Sequence, residues 1–443
     1  MLKTAKELKT GEYIEITPEV AAAMGIAVTE VGQAAQVITC HTDSYSYPGS
    51  ISPALSVWDP KCSSFQTSSR WIRDSMQFKA ATPALVKAHA KRYAEMLLKG
   101  QGQNYLPLTK LFGIDPEVFV VEPTGKVIPA WTFLPEKKMA RESVFWDGFQ
   151  AEYAGKSGVA CLESLNVYLH AGLQRILAKA RAKNPKASLT HKSVVSIDPQ
   201  TLMQADEAHV ALGCSPSLNI YGDKGKEVPD GRMLLHRFAG GHQHYGYIPT
   251  PEEVQVIIRA LDAVVGLTGV SLADEWDNPI RRQYYGLAGE YRLPKHGIEY
   301  RVLSNFWLIH PALAMIMNEL LRATIKFSQA GAVQAIISVD EDEVKKAINN
   351  HDPDLARKIL NKNAKGLLAI LLHTNFGGGY TVPECAKAAL QLILKGGASK
   401  EFSVDIEKNW RLDVASGGYQ ISNFQGTWSS YLKSHPRPYA LDV

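Results

Sequence analysis

The chain has 443 residues, of which 45% are hydrophobic and 21% are charged. This composition is typical of a globular protein, and the length predicts two or three domains. The formal net charge of +4 is too small to indicate nucleic-acid binding, and five scattered cysteines without a CxxC pair argue against a disulfide framework.

The first predicted region runs from residue 1 to about 105 and mixes strand-like runs with loops rich in serine and proline. Its beginning, "MLKTAKELKTGEY", lacks the apolar core of a signal peptide, and no apolar run of the chain approaches a membrane span. We therefore expect a cytoplasmic protein without a membrane partner. The region is predicted to close with a helix that starts at Thr82 and Pro83 and ends at Gly100, before a linker "QGQNYLPL".

The second region, residues 106–330, alternates strand-like runs with long helices. One helix is predicted at roughly 158–182, and another begins at "TPEEVQVIIRAL", where Thr250 and Glu253 form a capping box. A third is the apolar "WLIHPALAMIMNELLRATIKF". The third region, residues 331–443, is predicted to be mostly helical, with a glycine-rich loop "FGGGY".

A charged β-hairpin is predicted in "GLAGEYRLPKHGIEYRVLSNFW", residues 286–307, with its turn at 294–297. This turn would place Arg292 opposite Glu299 and Glu290 opposite Arg301. Directly opposed residues share a face of a sheet, so all four charged side chains would lie on one side. Taken alone, the hairpin is better explained by a solvent face with two cross-strand ion pairs.

Three further polar pairs suggest that this face continues across a larger sheet. They are Asp115 and Glu117 in "GIDPEVFV", His242 and His244 in "GGHQHYGY", and Asp147 and Glu152 in "FWDGFQAEY". The first two pairs have the i, i+2 spacing that shares a strand face. The third pair is five residues apart, so Gly148 would have to lie in a bulge or turn. Glycines 240 and 241 would leave room for a phosphate near the backbone.

Carboxylates, imidazoles and arginines on one face suit a particular chemistry. Mg²⁺ prefers carboxylate oxygens, imidazole suits Mn²⁺ or Zn²⁺, and arginine binds phosphate. Together they favour a phosphoryl-transfer site, although neither a GxxxxGK[ST] loop nor a kinase-type loop is present. One alternative is a metal-dependent hydrolase that holds Zn²⁺ with the His-x-His pair. In that class of hydrolase the pair is expected early in a barrel, whereas here it lies past the middle of the chain.

The order of these motifs resembles the glutamine synthetase and glutamate–cysteine ligase superfamily of carboxylate–amine ligases. The residues that carry the likeness are "GIDPEVF", "GGHQH", "YRLP", "GIEYR" and "SNFWLIHPALAMI". Within the superfamily the chain is most similar to the phage-type carboxylate–amine ligases of the second type, on "DGFQAEY", "GCSPSLNIYG" and "AGGHQHYGY". The likeness covers residues from about 110 to about 325.

The resemblance implies an α+β fold, in which a curved antiparallel sheet carries helices on its outside. It implies an ADP-producing ligase that forms an amide or peptide bond through an acyl phosphate, with ATP and Mg²⁺ or Mn²⁺. The substrates would be a carboxylate and an amine, as amino acid, peptide or protein. The location would be the host cytoplasm if the chain is phage-encoded, and a homo-oligomer is an expectation because family members are often oligomeric.

The resemblance also implies roles for individual residues. The metal ligands would be Asp115, Glu117, Asp147, Glu152, His242 and Glu299. The catalytic residues would be Arg292, Arg301 and Glu299, and the nucleotide would contact His244, Arg282 and Asn219, with Arg281 as the alternative to Arg282. The first strand departs from the usual Glu-x-Glu because it carries Asp115, and Asn219 is equally well explained as a strand-end cap. A second alternative is an inactive structural or binding protein that keeps a ligase-like fold.

Overall fold

The structure is a computed structural model, and it describes residues 2–8, 12–41, 51–59, 64–67, 72, 75–98, 112–136, 144–154, 162–211, 217–226, 230–329, 332–374 and 382–412. The strands in these ranges are β1 Leu2–Thr4, β2 Tyr13–Glu15, β3 Ala34–His41, β4 Ile51–Asp59, β5 Ser64–Thr67, β6 Gln77–Ala80, β7 Phe112–Val121, β8 Val127–Ile128, β9 Val144–Asp147, β10 Gln150–Tyr153, β11 Ser188–Thr190, β12 Val194–Ser196, β13 Leu218–Asn219, β14 His236–Phe238, β15 Gly241–Tyr245, β16 Glu290–Arg292 and β17 Ile298–Tyr300.

The helices are α1 Pro18–Met24, α2 Pro83–Leu98, α3 Leu162–Lys183, α4 Pro199–Gln204, α5 Glu207–Val210, α6 Pro251–Leu261, α7 Leu267–Ala273, α8 Pro311–Gln329, α9 Val333–Ile336, α10 Glu341–Asn349, α11 Pro353–Lys362, α12 Ala364–Leu371, α13 Val382–Lys395 and α14 Ile406–Trp410. Every strand pair in the described ranges is antiparallel, and the sheets are open. The predicted α+β class with antiparallel sheets is therefore confirmed, while the specific glutamine synthetase-like core stays a prediction.

The chain forms two compact units. One comprises residues 1–108, 323–338 and 365–373, and the other comprises 109–322, 339–364 and 374–443. The division at 105 and 330 expected from the sequence is a different partition and stays a prediction. The linker "QGQNYLPL" and the loop "FGGGY" lie outside the described residues.

The first unit contains a six-stranded sheet in the order β1-β6-β2-β3-β4-β5. Ile14, Val37 and Phe78 are buried in its core, together with Met24 of α1. The predicted start of α2 is confirmed, because the Leu85 amide donates to Thr82 Oγ1 at 3.3 Å. This hydrogen bond satisfies one of the amides that a helix N-terminus leaves unpaired.

The second unit is built on a nine-stranded sheet whose continuous path is β13-β16-β17-β15-β7-β10-β9, with β8 and β11 also paired to β7. Strand β7 is ten residues long and lies inside the sheet. The run from Val118 to Val120 is fully buried in this strand. A strand with continuous hydrophobic burial has protein on both of its faces. This run therefore fixes the position of the polar residues that precede it within β7.

A long core helix packs in the second unit and includes the predicted capping box. Thr250 Oγ1 accepts the Glu253 amide at 3.3 Å, and the Thr250 amide donates to Glu253 Oε2 at 2.7 Å. The helix continues from α6 through a π-helical turn, Asp262–Gly266, into α7. Among the described residues, Pro251–Trp276 is long and apolar enough to span a membrane, contrary to the sequence expectation, but 89% of its apolar stretch is buried inside the protein. Such burial is typical of a helix in the core of a folded protein.

Asp262 in the π-helical turn links the core helix to β17. Its Oδ1 accepts a 2.8 Å hydrogen bond from the Tyr300 hydroxyl, and both residues are completely buried. Burial raises the pKa of Asp262 to about 7, although hydrogen bonds from Tyr300 and Tyr221 oppose the rise. Because Tyr300 lies between Glu299 and Arg301, this bond fixes the strand that carries both charged residues.

We expect Tyr300→Phe to lower the free energy of unfolding by about 1–3 kcal/mol, because Asp262 would lose a donor in a buried position. Urea denaturation at neutral pH measures the change. Tyr291→Phe on the adjacent strand is the matched control, since Tyr291 is only partly buried, and it should unfold like the wild type. Equal losses in the two variants would contradict the proposed anchor.

Candidate functional site

The register of the large sheet brings the predicted polar pairs onto one face. His242 lies opposite Asp115 between β15 and β7, and His244 lies opposite Glu299 between β15 and β17. The predicted hairpin is confirmed, because Arg292 lies opposite Glu299 and the Arg301 amide donates to the Glu290 carbonyl at 3.2 Å. Directly opposed residues of antiparallel strands share a face, so these side chains are neighbours.

The pair Asp147 and Glu152 joins the same face through a tight turn. Strands β9 and β10 form a hairpin in which Asp147 lies opposite Gln150, and Glu152 lies opposite Glu117 of β7. Gly148 is in the turn with a φ of +59°, a conformation that glycine adopts at no steric cost. The expectation that Gly148 breaks the strand is confirmed.

Two clusters of possible metal ligands result, and in each the ligand atoms lie within 4.8 Å of one another. The carboxylate cluster contains Glu117, Asp147 and Glu152, and the histidine cluster contains Asp115, His244 and Glu299. The resemblance expected six metal ligands, which include His242 and not His244. The structure groups five of these six residues into two clusters and adds His244 to one of them.

The carboxylate cluster has an excess of negative charge. Glu117 Oε2 accepts a hydrogen bond from the Gly240 amide at 2.7 Å. Even so, burial and the nearby Asp147 raise the pKa of Glu117 to about 8, with Arg301 acting weakly in the opposite direction. A divalent cation would relieve this repulsion, and oxygen-only ligands are the set that Mg²⁺ and Mn²⁺ prefer. These three residues therefore fit a hard cation.

The negative charges of the histidine cluster are already neutralised within the protein. Arg292 donates two hydrogen bonds to Glu299, at 2.8 and 2.6 Å, and Arg301 Nε lies 3.3 Å from Glu299 Oε1. His244 Nε2 lies 2.9 Å from Asp115 Oδ1. Burial alone would lower the pKa of His244, but Asp115 outweighs it and the pKa is raised. A cation here would have to displace Arg292 or His244, so this cluster fits a cation less well than the carboxylate cluster.

His242 lies beside the histidine cluster and lines the same pocket as Glu117 and Asp147 of the carboxylate cluster. Its Nδ1 is 3.9 Å from Asp115 Oδ1 and 3.7 Å from Glu299 Oε1. Burial and the charge of Arg301 hold the pKa of His242 well below its usual value. His242 is therefore neutral at physiological pH, and the neutral imidazole is the form that can coordinate a metal.

A pocket of about 520 Å³, counting its open mouth, adjoins this face. Its ionisable lining consists of Glu117, Asp147, Glu290, Arg237, Arg281, Arg301 and His242. Three carboxylates thus face three guanidinium groups in one cavity. Such a lining suits a ligand that carries both anionic and cationic groups.

Two residues expected to contact the nucleotide are engaged elsewhere. The Arg282 guanidinium donates to the carbonyls of Val302 and Gly286 and lies 3.2 Å from Asp277 Oδ2. It therefore fixes the backbone after β17, and the neighbouring Arg281 is the one that lines the pocket. Asn219 donates to the Ala288 carbonyl at 2.8 Å and accepts the Tyr221 amide at 2.8 Å. Both the nitrogen and the oxygen of its side-chain amide are hydrogen-bonded to the backbone at the strand end, which fits the capping interpretation.

The two glycines before the histidines have a packing role. A Cβ atom on Gly240 would lie 2.5 Å from His242 Nε2, and one on Gly241 would lie 2.3 Å from the Ser304 carbonyl. The space beside both residues is thus filled by the protein itself. Strand packing accounts for both glycines, and the expectation that they leave room for a phosphate stays a prediction.

Sequence reasoning gave no role to Arg237, Glu290 and His296. Arg237 lies in β14, and its guanidinium donates to four backbone carbonyls, which no sequence motif indicates. Glu290 was recognisable only as a member of the charged hairpin. His296 in the hairpin turn places Nε2 3.1 Å from His244 Nδ1, a contact that depends on strand register.

The raised pKa of Glu117 predicts a pH-dependent stability in metal-free protein. The folded state holds this proton between pH 4.5 and about 8 while the unfolded state releases it, so stability should fall as pH rises through that window. In EDTA, the melting temperature of Glu117→Gln should fall less over this range than that of the wild type. The exposed Glu275→Gln is the control and should follow the wild type. Parallel profiles for all three proteins would contradict the assignment.

Comparison with known proteins bears on the family of the chain. Residues 196–412 match the family model described as phage phiEco32-like COOH-NH2 ligase type 2. The match contains β15, the β16–β17 hairpin and α8, and it begins after the acidic strands β7, β9 and β10. A search of curated proteins finds no match. The match of residues 196–412 supports the family expected from the motifs, the phage phiEco32-like COOH-NH2 ligases of type 2.

Proposed function

We propose that the protein is an ATP-dependent ligase that joins a carboxylate to an amine through an acyl phosphate, with Mg²⁺ or Mn²⁺. The observation that carries the proposal is the carboxylate cluster on the same sheet face as Arg292 and Arg301. The family match supplies the carboxylate and amine as substrates. In the proposed reaction the γ-phosphate of ATP moves to the carboxylate with release of ADP, and the amine then displaces phosphate.

The metal would be held by Glu117, Asp147 and Glu152, and His242, which lines the same pocket, would be a further neutral nitrogen donor. When bound, it would neutralise phosphate charge and so stabilise the transferring phosphoryl group. Without it, the cluster carries the uncompensated charge that raises the pKa of Glu117.

Arg301 is the residue best placed to hold an anionic reacting group. It lines the pocket, it is 2% exposed, and it donates to Ser217 Oγ at 3.1 Å. Glu299 lies between Arg301 and Arg292 and keeps both guanidinium groups in position. A buried, preorganised guanidinium stabilises developing negative charge without reorganising during the reaction.

The arrangement disfavours the hydrolase alternative. A zinc hydrolase would use both imidazoles of the His-x-His pair on one ion, whereas His244 is paired with Asp115 and His242 is outside either cluster. The sheet is also open rather than a barrel. The inactive-protein alternative keeps the fold without turnover, so an activity assay distinguishes it from a ligase.

The central test is phosphate release from ATP and Mg²⁺ with a panel of carboxylates (L-glutamate, L-aspartate, diglycine) and amines (ammonia, methylamine, glycine, hydroxylamine). We expect ADP and phosphate to be formed only when a carboxylate and an amine are both present. Glu117→Gln should abolish this activity, and the exposed Glu275→Gln should retain it. Formation of AMP would contradict the acyl-phosphate route, and no turnover together with no thermal stabilisation by ATP and Mg²⁺ would favour the inactive protein.

Glu299→Gln tests whether Glu299 positions Arg292 and Arg301 for catalysis. We expect turnover to fall about 100- to 1,000-fold, because Arg292 and Arg301 would lose the charge that positions them. Gln is preferable to Ala, since it removes the charge but keeps the volume and one acceptor oxygen of a side chain that is 2% exposed. Loss of the charge between two guanidinium groups is expected to cost about 3–5 kcal/mol of stability. Circular dichroism and steady-state kinetics measure the two effects. Wild-type turnover in a folded Glu299→Gln protein would exclude this role.

A further inference from the structure

Glu290 is a pocket carboxylate that belongs to neither ligand cluster. It lies at the start of β16 and is 7% exposed. Its Oε2 accepts a hydrogen bond from the Gly286 amide at 2.8 Å. No ion pair within 4.0 Å involves Glu290 among the described residues, so a backbone dipole and more distant guanidinium groups offset its charge.

The loop before β16 is shaped to give Glu290 this contact. Gly286 has a φ of +76°, and a Cβ atom there would lie 2.0 Å from Arg281 Nη1. Only glycine fits this position, which places the amide of residue 286 on one carboxylate oxygen. Burial raises the pKa of Glu290, while Gly286, Arg281 and Arg301 oppose the rise. The carboxylate is thus held in one orientation and can accept a proton more readily than an exposed glutamate.

Glu290 is also a neighbour of Arg301. The two residues lie opposite each other across β16 and β17, with the Arg301 amide bonded to the Glu290 carbonyl at 3.2 Å. Opposed side chains on one face lie about 5 Å apart at Cβ. An amine bound to Glu290 would therefore lie beside an acyl phosphate held by Arg301.

We propose that Glu290 binds the ammonium group of the amine substrate and acts as its general base. This inference rests on the proposed ligase function. The Glu290 carboxylate takes one proton from R–NH₃⁺ and becomes a carboxylic acid. The nitrogen of R–NH₂ then forms a bond to the acyl carbon, the bond from that carbon to the phosphate oxygen breaks, and phosphate leaves with the second nitrogen proton as HPO₄²⁻. Glu290 returns its proton to solvent.

The other acids of the site are less suited to this role. Glu117, Asp147 and Glu152 form the carboxylate cluster, where a cation would compete with a proton. Glu299 accepts hydrogen bonds from Arg292 on both of its carboxylate oxygens, so neither oxygen is left to bind an ammonium group alone. Asp115 is paired with His244 at 2.9 Å. Glu290 is the remaining acid in the pocket lining.

The test compares methylamine with hydroxylamine as nucleophiles in the full-length protein, with the panel carboxylates, ATP and Mg²⁺. Methylamine is protonated at neutral pH and needs a base, whereas hydroxylamine is largely unprotonated. We expect Glu290→Gln to slow the methylamine reaction about 100-fold or more and to leave the hydroxylamine reaction within about threefold of wild type. Glu275→Gln is the matched control and should leave both rates unchanged.

The outcomes separate this inference from the proposed function. A selective loss with methylamine supports Glu290 as the base, and an equal loss or no loss with both nucleophiles overturns it. If wild-type protein shows no amine-dependent phosphate release with any pair, the proposed function fails and the inference fails with it. If circular dichroism shows that Glu290→Gln does not fold, Glu290→Asp is tested instead. A shortened carboxylate should also slow the methylamine reaction selectively. Equal slowing of the methylamine and hydroxylamine reactions would again overturn the inference.

Discussion

The register between β7, β15 and β17 is the constraint on which the site depends. Pairing His242 with Asp115 and His244 with Glu299 places polar residues from three strands on one face. A slip by one residue would turn every one of these side chains to the opposite face, because strand side chains alternate with period two. Burial of Ile298, Tyr300 and Val302 on the other face opposes such a slip. The hydrophobic residues of β17 thus fix the positions of its charged ones.

Charge balance explains why the two ligand clusters differ. Buried charges are tolerated when they are paired and hydrogen-bonded, and they change their pKa when they are not. Glu299 has two arginine partners, whereas Glu117 has a backbone amide and other carboxylates nearby, and burial raises its pKa to about 8. The same sheet face therefore offers one region suited to cations and another that holds guanidinium groups next to the pocket.

Local sequence patterns were sufficient for the hairpin, the helix caps and the turn at Gly148. Each depends on residues close together in the chain, such as Thr250 with Glu253 or Arg292 with Glu299. The functions of single residues were harder to predict. Arg282 and its neighbour Arg281 look equivalent in sequence, and both donate to backbone carbonyls. Arg281 lines the pocket, whereas Arg282 lies 3.2 Å from Asp277 Oδ2.

The sequence by itself determined the α+β class, the resemblance to the ligase family and the residue types of the site, since these follow from local periodicity and the order of motifs. Tertiary structure decided which acids share a cluster, because that depends on contacts between strands more than 100 residues apart, as for Glu117 and Gly240. It also decided that His244 pairs with Asp115 while His242 stays neutral. Proton affinity depends on burial and on neighbouring charge, and neither property is encoded in the spacing of two histidines along a strand.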